Sequence, residues 1–114
     1  MHIVVFCESF VVAKELSEYL ILGLCDHVAV RTKHGRMVFE IDEKNIVIDI
    51  RQASKEKTAG LRPDYVLMYD TTLEFTEYWE YNMGGRYKEL KHLSDLLRLV
   101  VDDYYEEESN EQTR

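Results

Sequence analysis

The sequence predicts an α/β fold: a small three-layer sheet with an inserted β-hairpin and a C-terminal amphipathic helix. Three observations predict it. Two short apolar runs, Ile3–Phe6 and Tyr65–Tyr69, read as strands covered on both faces. The first leads directly into a helical pattern. Between the two runs, a pair of short runs flanks a basic tip and reads as a hairpin.

Each element has a local cause. Ile3–Phe6 is continuous and rich in β-branched residues. Ser9 can cap the next helix, with Val12, Leu16, Tyr19 and Leu20 as its core face and Gly23 near its stop. Val28–Arg31 and Met37–Ile41 flank Lys33-His34-Gly35-Arg36 as a hairpin. Asn45–Ile50 sets Ile46, Ile48 and Ile50 on one strand face. The polar stretch 52–59 is a loop or short helix, and Leu61-Arg62-Pro63 is extended because Pro disfavours helix just before it. Thr71-x-x-Glu74 forms a capping box for a short helix over 72–82, with Phe75, Tyr78 and Trp79 on one side and Gly84-Gly85 as the break. A last helix is expected over 86–106, with Tyr87, Leu90, Leu93, Leu97 and Tyr104 at helical spacing. The elements assemble as a Rossmann-like sheet in one domain, 1–108, followed by a frayed acidic tail, 109–114.

Charge is distributed unevenly along the chain. Residues 1–65 hold nine Lys/Arg and ten Asp/Glu, a net of −1, whereas residues 66–114 hold five and twelve, a net of −7. The acidic half interleaves carboxylates with aromatics, in 74–81 and again in 102–108. Such a surface suits a basic protein groove and repels a phosphate backbone. No stretch approaches the ~18 apolar residues of a membrane span. No signal peptide is expected either: Glu8 interrupts the first apolar run, which lacks a basic start. Cys7 and Cys25 lie outside any C-x-x-C, so reduced thiols in a cytoplasmic protein are expected.

The first run followed by Ala13-Lys14-Glu15-Leu16 and Leu20, and the turn Gly60-Leu61-Arg62-Pro63-Asp64 feeding Tyr65–Asp70, together resemble the P-loop ATPase core of phage terminase large subunits and related helicases over about residues 1–80. The resemblance implies a Rossmann-like sheet in which Asp70 stands at the Mg²⁺ position. The chain departs from that family where the chemistry lies. It has no G-x-x-x-x-G-K-[ST], so no loop of N–H groups cradles phosphates, and Thr71 stands where the family has its catalytic Glu. Glu8-Ser9 with Ala13-Lys14 and Tyr19-Leu20 is also similar to the start of a Toprim domain, but Thr72 replaces the second Asp of its metal pair.

Candidate chemistry is sparse. Asp70, ending a buried strand, is a weak metal candidate, and the bland alternative is a turn-forming Asp. Cys7 sits before a helix, but Ala13 stands where a phosphatase-like C-x₅-R needs Arg, so a structural thiol is favoured. Cys25, His27 and His34 lack a fourth zinc ligand. Arg31, Lys33 and Arg36, with Arg62, form the nucleic-acid-binding alternative, against which stands a solvated hairpin tip. The expected partner-binding residues are Glu74, Glu77, Tyr78, Trp79, Glu80, Tyr81, Asp102, Asp103, Tyr105, Glu106 and Glu107, against the bland reading of a solubilising face. The expectation is a non-enzymatic, virus- or mobile-element-encoded interaction protein. It would need no cofactor and would inhibit a basic partner such as a host nucleic-acid enzyme. The alternative is a degenerate terminase- or helicase-like module that retains nucleic-acid or nucleotide binding.

Overall fold

The apolar run near the N-terminus forms strand β1 (His2–Cys7), and Ile3 through Cys7 have no exposed surface. A strand buried on both faces needs sheet neighbours on both edges and helices above and below. The computed structural model, which describes residues 1–24, 29–33, 36–41, 45–55, 58 and 60–100, supplies all of these. Helix α1 (Phe10–Leu24) is followed by β2 (Ala29–Lys33), β3 (Arg36–Ile41), β4 (Ile46–Gln52), β5 (Tyr65–Asp70), α2 (Leu73–Met83), β6 (Lys88–Leu90) and α3 (Leu93–Val100). The strands make one six-stranded sheet in the order β2-β3-β4-β1-β5-β6. β4, β1, β5 and β6 run parallel, and β2–β3–β4 form an antiparallel extension. The α/β fold with an inserted hairpin is therefore as expected, and β1 is central.

Two apolar clusters define the layers. On one face, Ile3 and Val5 of β1, Ile48 and Ile50 of β4 and Leu67 of β5 pack with Leu16 and Leu20 of α1 and Leu96 and Val100 of α3. On the other, Val4, Phe6 and Val66 pack with Phe75, Trp79 and Met83 of α2. The alternation along β1 divides its side chains between the two clusters, as the two-residue strand period requires.

Local signals set the helix ends. Ser9 caps α1: its Oγ accepts from Val12 N at 3.3 Å and its carbonyl from Ala13 N at 3.1 Å. The helix continues through Gly23 to Leu24. At α2 the cap is Thr72, whose Oγ1 accepts from Phe75 N at 3.2 Å, one residue later than the expected Thr71. Thr71 instead places its hydroxyl 3.0 Å from that of Thr76. Gly84 ends α2, donating its N–H to the Glu80 carbonyl at 2.8 Å, and Gly85 follows at φ +81°. A Cβ on Gly84 would lie 2.5 Å from that same carbonyl oxygen, so the stop needs a residue without one.

The C-terminal helix expected over 86–106 is corrected. Lys88–Leu90 form β6, paired in parallel with Tyr65–Leu67, and the helix begins only at Leu93. Gly84-Gly85 turns the chain so that Tyr87 and Leu90 reach the sheet, where edge pairing satisfies backbone groups that a helix would otherwise satisfy. Asp95 caps the shorter α3, its Oδ2 accepting from Lys91 N at 3.1 Å and His92 N at 3.0 Å. Those two N–H groups, together with the charges of His92 and Arg98, hold its carboxyl below the usual range. The expectations for 101–114, including the tail and Tyr104, lie outside the described residues.

Candidate functional site

Helix α2 sorts its residues by angle. Phe75, Trp79 and Met83 fall on the buried side. Leu73, Glu74, Glu77, Glu80 and Tyr81 occupy the opposite arc and are all exposed, Leu73 at 74% and Tyr81 at 91%. The outer face therefore presents three carboxylates and two large apolar side chains. Helical geometry makes 73, 77 and 81 a single ridge, with 74 and 80 flanking it.

The carboxylates differ in their surroundings. Glu74 Oε1 meets Lys55 Nζ at 2.7 Å, and that hydrogen bond and charge hold its carboxyl below the usual range. The same ammonium lies 5.3 Å from the centre of the Tyr78 ring, and the Tyr78 hydroxyl sits 3.5 Å from the Lys55 carbonyl. Lys55 thus ties the β4–β5 connection to the first turns of α2, and Tyr78 is half-buried on the flank rather than on the outer face. Glu77 and Glu80 make no ion pair with the described residues.

Trp79 requires a correction. The sequence reading places it among partner-binding residues, but it has no exposed surface. Its ring packs edge-on against Phe6, centroids 4.9 Å apart at 61°, and against Tyr87 at 5.7 Å and 52°. Position 79 falls on the same side of α2 as Phe75 and Met83 and packs against β1. Leu73 was missed as a surface apolar residue. Its position immediately after a cap, one turn ahead of Glu77, is the signal that marks it. Asp102, Asp103, Tyr105, Glu106 and Glu107 lie outside the described residues.

A second location follows from topology. α1 leaves β1 on one face and α2 leaves β5 on the other, so the ends of these adjacent parallel strands form a switch point, where open α/β sheets commonly hold ligands. Cys7 pairs with Asp70 there across a bulge, and Glu8 and Asp70 are exposed beside it. Ala53 N donates to Cys7 O at 2.6 Å and Gln52 Nε2 to Glu8 O at 3.3 Å, which closes the β4 side of the crevice. The Cys7 thiol is pushed up to about 12, first by burial and then by the Asp70 charge. A thiol so shifted stays protonated and is a poor nucleophile at neutral pH. Among the described residues no three His, Cys, Asp or Glu side chains converge for a metal, and the expectations for Cys25, His27 and His34 fall outside them.

The basic residues are only partly gathered. Strand pairing sets Lys33 opposite Arg36 and Arg36 opposite Arg51, with Arg31 opposite Val38 and Val38 opposite Asp49. Arg51 is itself engaged, its Nη2 2.6 Å from Asp49 Oδ2, and both side chains are buried. Arg62 stands apart in the connection entering β5, its Nη1 2.9 Å from the Leu61 carbonyl.

Compared with protein-family models, with curated proteins and with solved structures, the chain gives no significant match. Among the described residues no helix is long and apolar enough to cross a membrane.

Proposed function

We propose that this chain is a non-enzymatic interaction protein whose acidic outer face of α2 binds a basic surface on a nucleic-acid enzyme and occludes it. The supporting observation is the composition of that face: Glu74, Glu77 and Glu80 share it with the exposed Leu73 and Tyr81. Carboxylates three residues apart on a helix recur about every 4.5 Å along its axis. Phosphates of one strand of duplex DNA recur about every 3.4 Å of helix axis. A groove lined with Lys and Arg to follow a phosphate strand therefore meets a comparable charge density on α2. Lys55 offsets Glu74, so the local net charge is about two negative rather than three.

The apolar pair supplies what charge alone does not. Exposed ion pairs contribute about 0–1 kcal/mol each and mainly steer encounter. Tyr81 and Leu73 supply the desolvated contact area that slows dissociation, a role the sequence reading gave to Trp79 and the tyrosines together.

The test is affinity capture from host cells by the wild-type chain and by Glu74→Gln/Glu77→Gln/Glu80→Gln, side by side, followed by DNA competition. Support is a protein retained by the wild type, lost by the variant and displaced by added DNA. Equal retention of the same proteins by both baits overturns the proposal. Direct, salt-sensitive binding of the wild-type chain to DNA would instead favour the basic residues Arg31, Lys33 and Arg36.

A further inference from the structure

Helix α1 repeats the surface pattern of α2. On α2 the outer ridge reads Leu73, Glu77 and Tyr81, with Glu80 next to Tyr81. On α1 the same offsets hold Val11, Glu15 and Tyr19, with Glu18 next to Tyr19. All four α1 residues are exposed, Val11 at 64% and Tyr19 at 58%. The inner positions keep step as well. Ala13 and Ser17 of α1 stand at the offsets of Phe75 and Trp79 of α2, and all four are buried. Each helix follows a parallel strand and starts at a hydroxyl cap, Ser9 or Thr72. Both therefore turn an aliphatic, two glutamates and a tyrosine outward in the same rotational phase.

The α1 ridge combines contact area with charge. Val11 and Tyr19 lie on one helix face, with Phe10 exposed at its N-terminal end. Grouped exposure of large apolar side chains within a polar surround is the mark of an interaction surface. The charged side chains of that face are Lys14, Glu15 and Glu18, all exposed. Two carboxylates against one ammonium leave it about one charge negative, whereas three carboxylates against Lys55 leave the α2 face about two negative. α1 packs with the apolar cluster on one side of the sheet and α2 with the cluster on the other. The two outer faces therefore point in opposite directions, and a molecule seated on one leaves the other open.

We infer that the outer face of α1 is a second docking surface for the same kind of basic partner, so that one chain joins two partner molecules across its sheet. Charge complementarity selects the occupant: Glu15 and Glu18 meet lysine or arginine side chains, and Val11 and Tyr19 supply the apolar contact beside them. The face with the smaller negative charge is the weaker one, so α2 fills first and α1 second. The inference rests on the reading of α2 as the binding face and extends it from one partner molecule to two.

The experiment titrates an amphipathic lysine–leucine peptide into the ¹⁵N-labelled full chain and follows each backbone amide by NMR. A glutamine–leucine peptide of equal length is the control. The expected result is two separate sets of shifted amides, 73–81 saturating first and 10–19 later, with the lysine peptide alone. Glu15→Gln/Glu18→Gln should weaken the second step about fivefold, the loss of two exposed ion pairs of ordinary strength, and leave the first unchanged. Glu77→Gln/Glu80→Gln should do the reverse. Tyr19→Ser should weaken the second step alone, which a purely electrostatic attraction would not show. The inference is overturned if 10–19 stays unshifted, if Glu15→Gln/Glu18→Gln binds there as tightly as wild type, or if the shifts of 10–19 vanish in Glu77→Gln/Glu80→Gln. Shifts confined to 73–81 would refute the second face and spare the wider reading. If neither set moves, or shifts spread over the whole surface, both fail.

Discussion

Replacing Trp79 with alanine separates a core role from a surface anchor. Trp79 is fully buried, contacts Phe6 edge-on at 4.9 Å and shares its cluster with Val4, Val66, Phe75 and Met83. Truncating a buried Trp costs about 3–5 kcal/mol, and the tightness of this cluster argues for the upper half of that range. Total stabilities of roughly 0.05–0.15 kcal/mol per residue imply about 6–17 kcal/mol for a chain of 114 residues. The loss is then a quarter or more of the whole. Trp79→Phe provides the contrast: it keeps a ring against Phe6 and removes the unpaired N–H, whose burial costs about 1–3 kcal/mol. It should therefore cost well under half as much as the alanine variant. The assay is urea denaturation followed by far-UV circular dichroism, because both variants lose the fluorophore. A loss below about 1 kcal/mol for Trp79→Ala would refute its place in the core.

Other perturbations probe separate parts of the fold. Asp49→Ala should destabilise the fold in the same denaturation assay, since it removes the carboxylate that lies 2.6 Å from the buried Arg51 guanidinium. Replacing both members with Leu and Met should cost less. Gly84→Ala should destabilise by more than about 1 kcal/mol, because its Cβ would collide with the Glu80 carbonyl that closes α2. Cys7 holds its proton to about pH 12 in the native state and to about 9.0 when unfolded. Its contribution is thus full below pH 9 and lost as pH rises toward 12, so Cys7→Ala should flatten the fall of stability over that window. Glu74→Gln/Glu77→Gln/Glu80→Gln should change stability by no more than about 0.5 kcal/mol, as measured by its urea midpoint.

The legible parts of the fold were those with a strong local signal. β1 was visible because Ile3–Phe6 has no polar interruption, and β4 because its isoleucines alternate. Ser9 and Gly84 marked helix ends through chemistry that few residues supply. The C-terminal third was misread because Tyr87, Leu90, Leu93 and Leu97 fit a helical period equally well as one long helix or as a strand edge plus a short helix. Periodicity cannot detect that β5 has an open edge to fill, and that edge decides the outcome. The acidic face was legible in composition, and Tyr81 with it, but Leu73 was not. The buried side of α2 is set by the four-residue spacing of Phe75, Trp79 and Met83, and one residue turns an α-helix by about 100°. Which aromatic faces solvent depends on that phase, so Tyr81 is outside and Trp79 inside.

The most direct measurement of the acidic-face proposal is the association rate of the captured basic partner, followed across a series of salt concentrations for the wild type and for Glu74→Gln/Glu77→Gln/Glu80→Gln. For wild type the expected rate is fast at low salt and falls steeply as salt rises, since the carboxylates steer encounter. The variant should associate more slowly at low salt with a flatter dependence, while its dissociation changes little. Identical association rates at low salt, with parallel salt dependences, would show that the carboxylates of α2 are only a solvated surface and would contradict the proposed function.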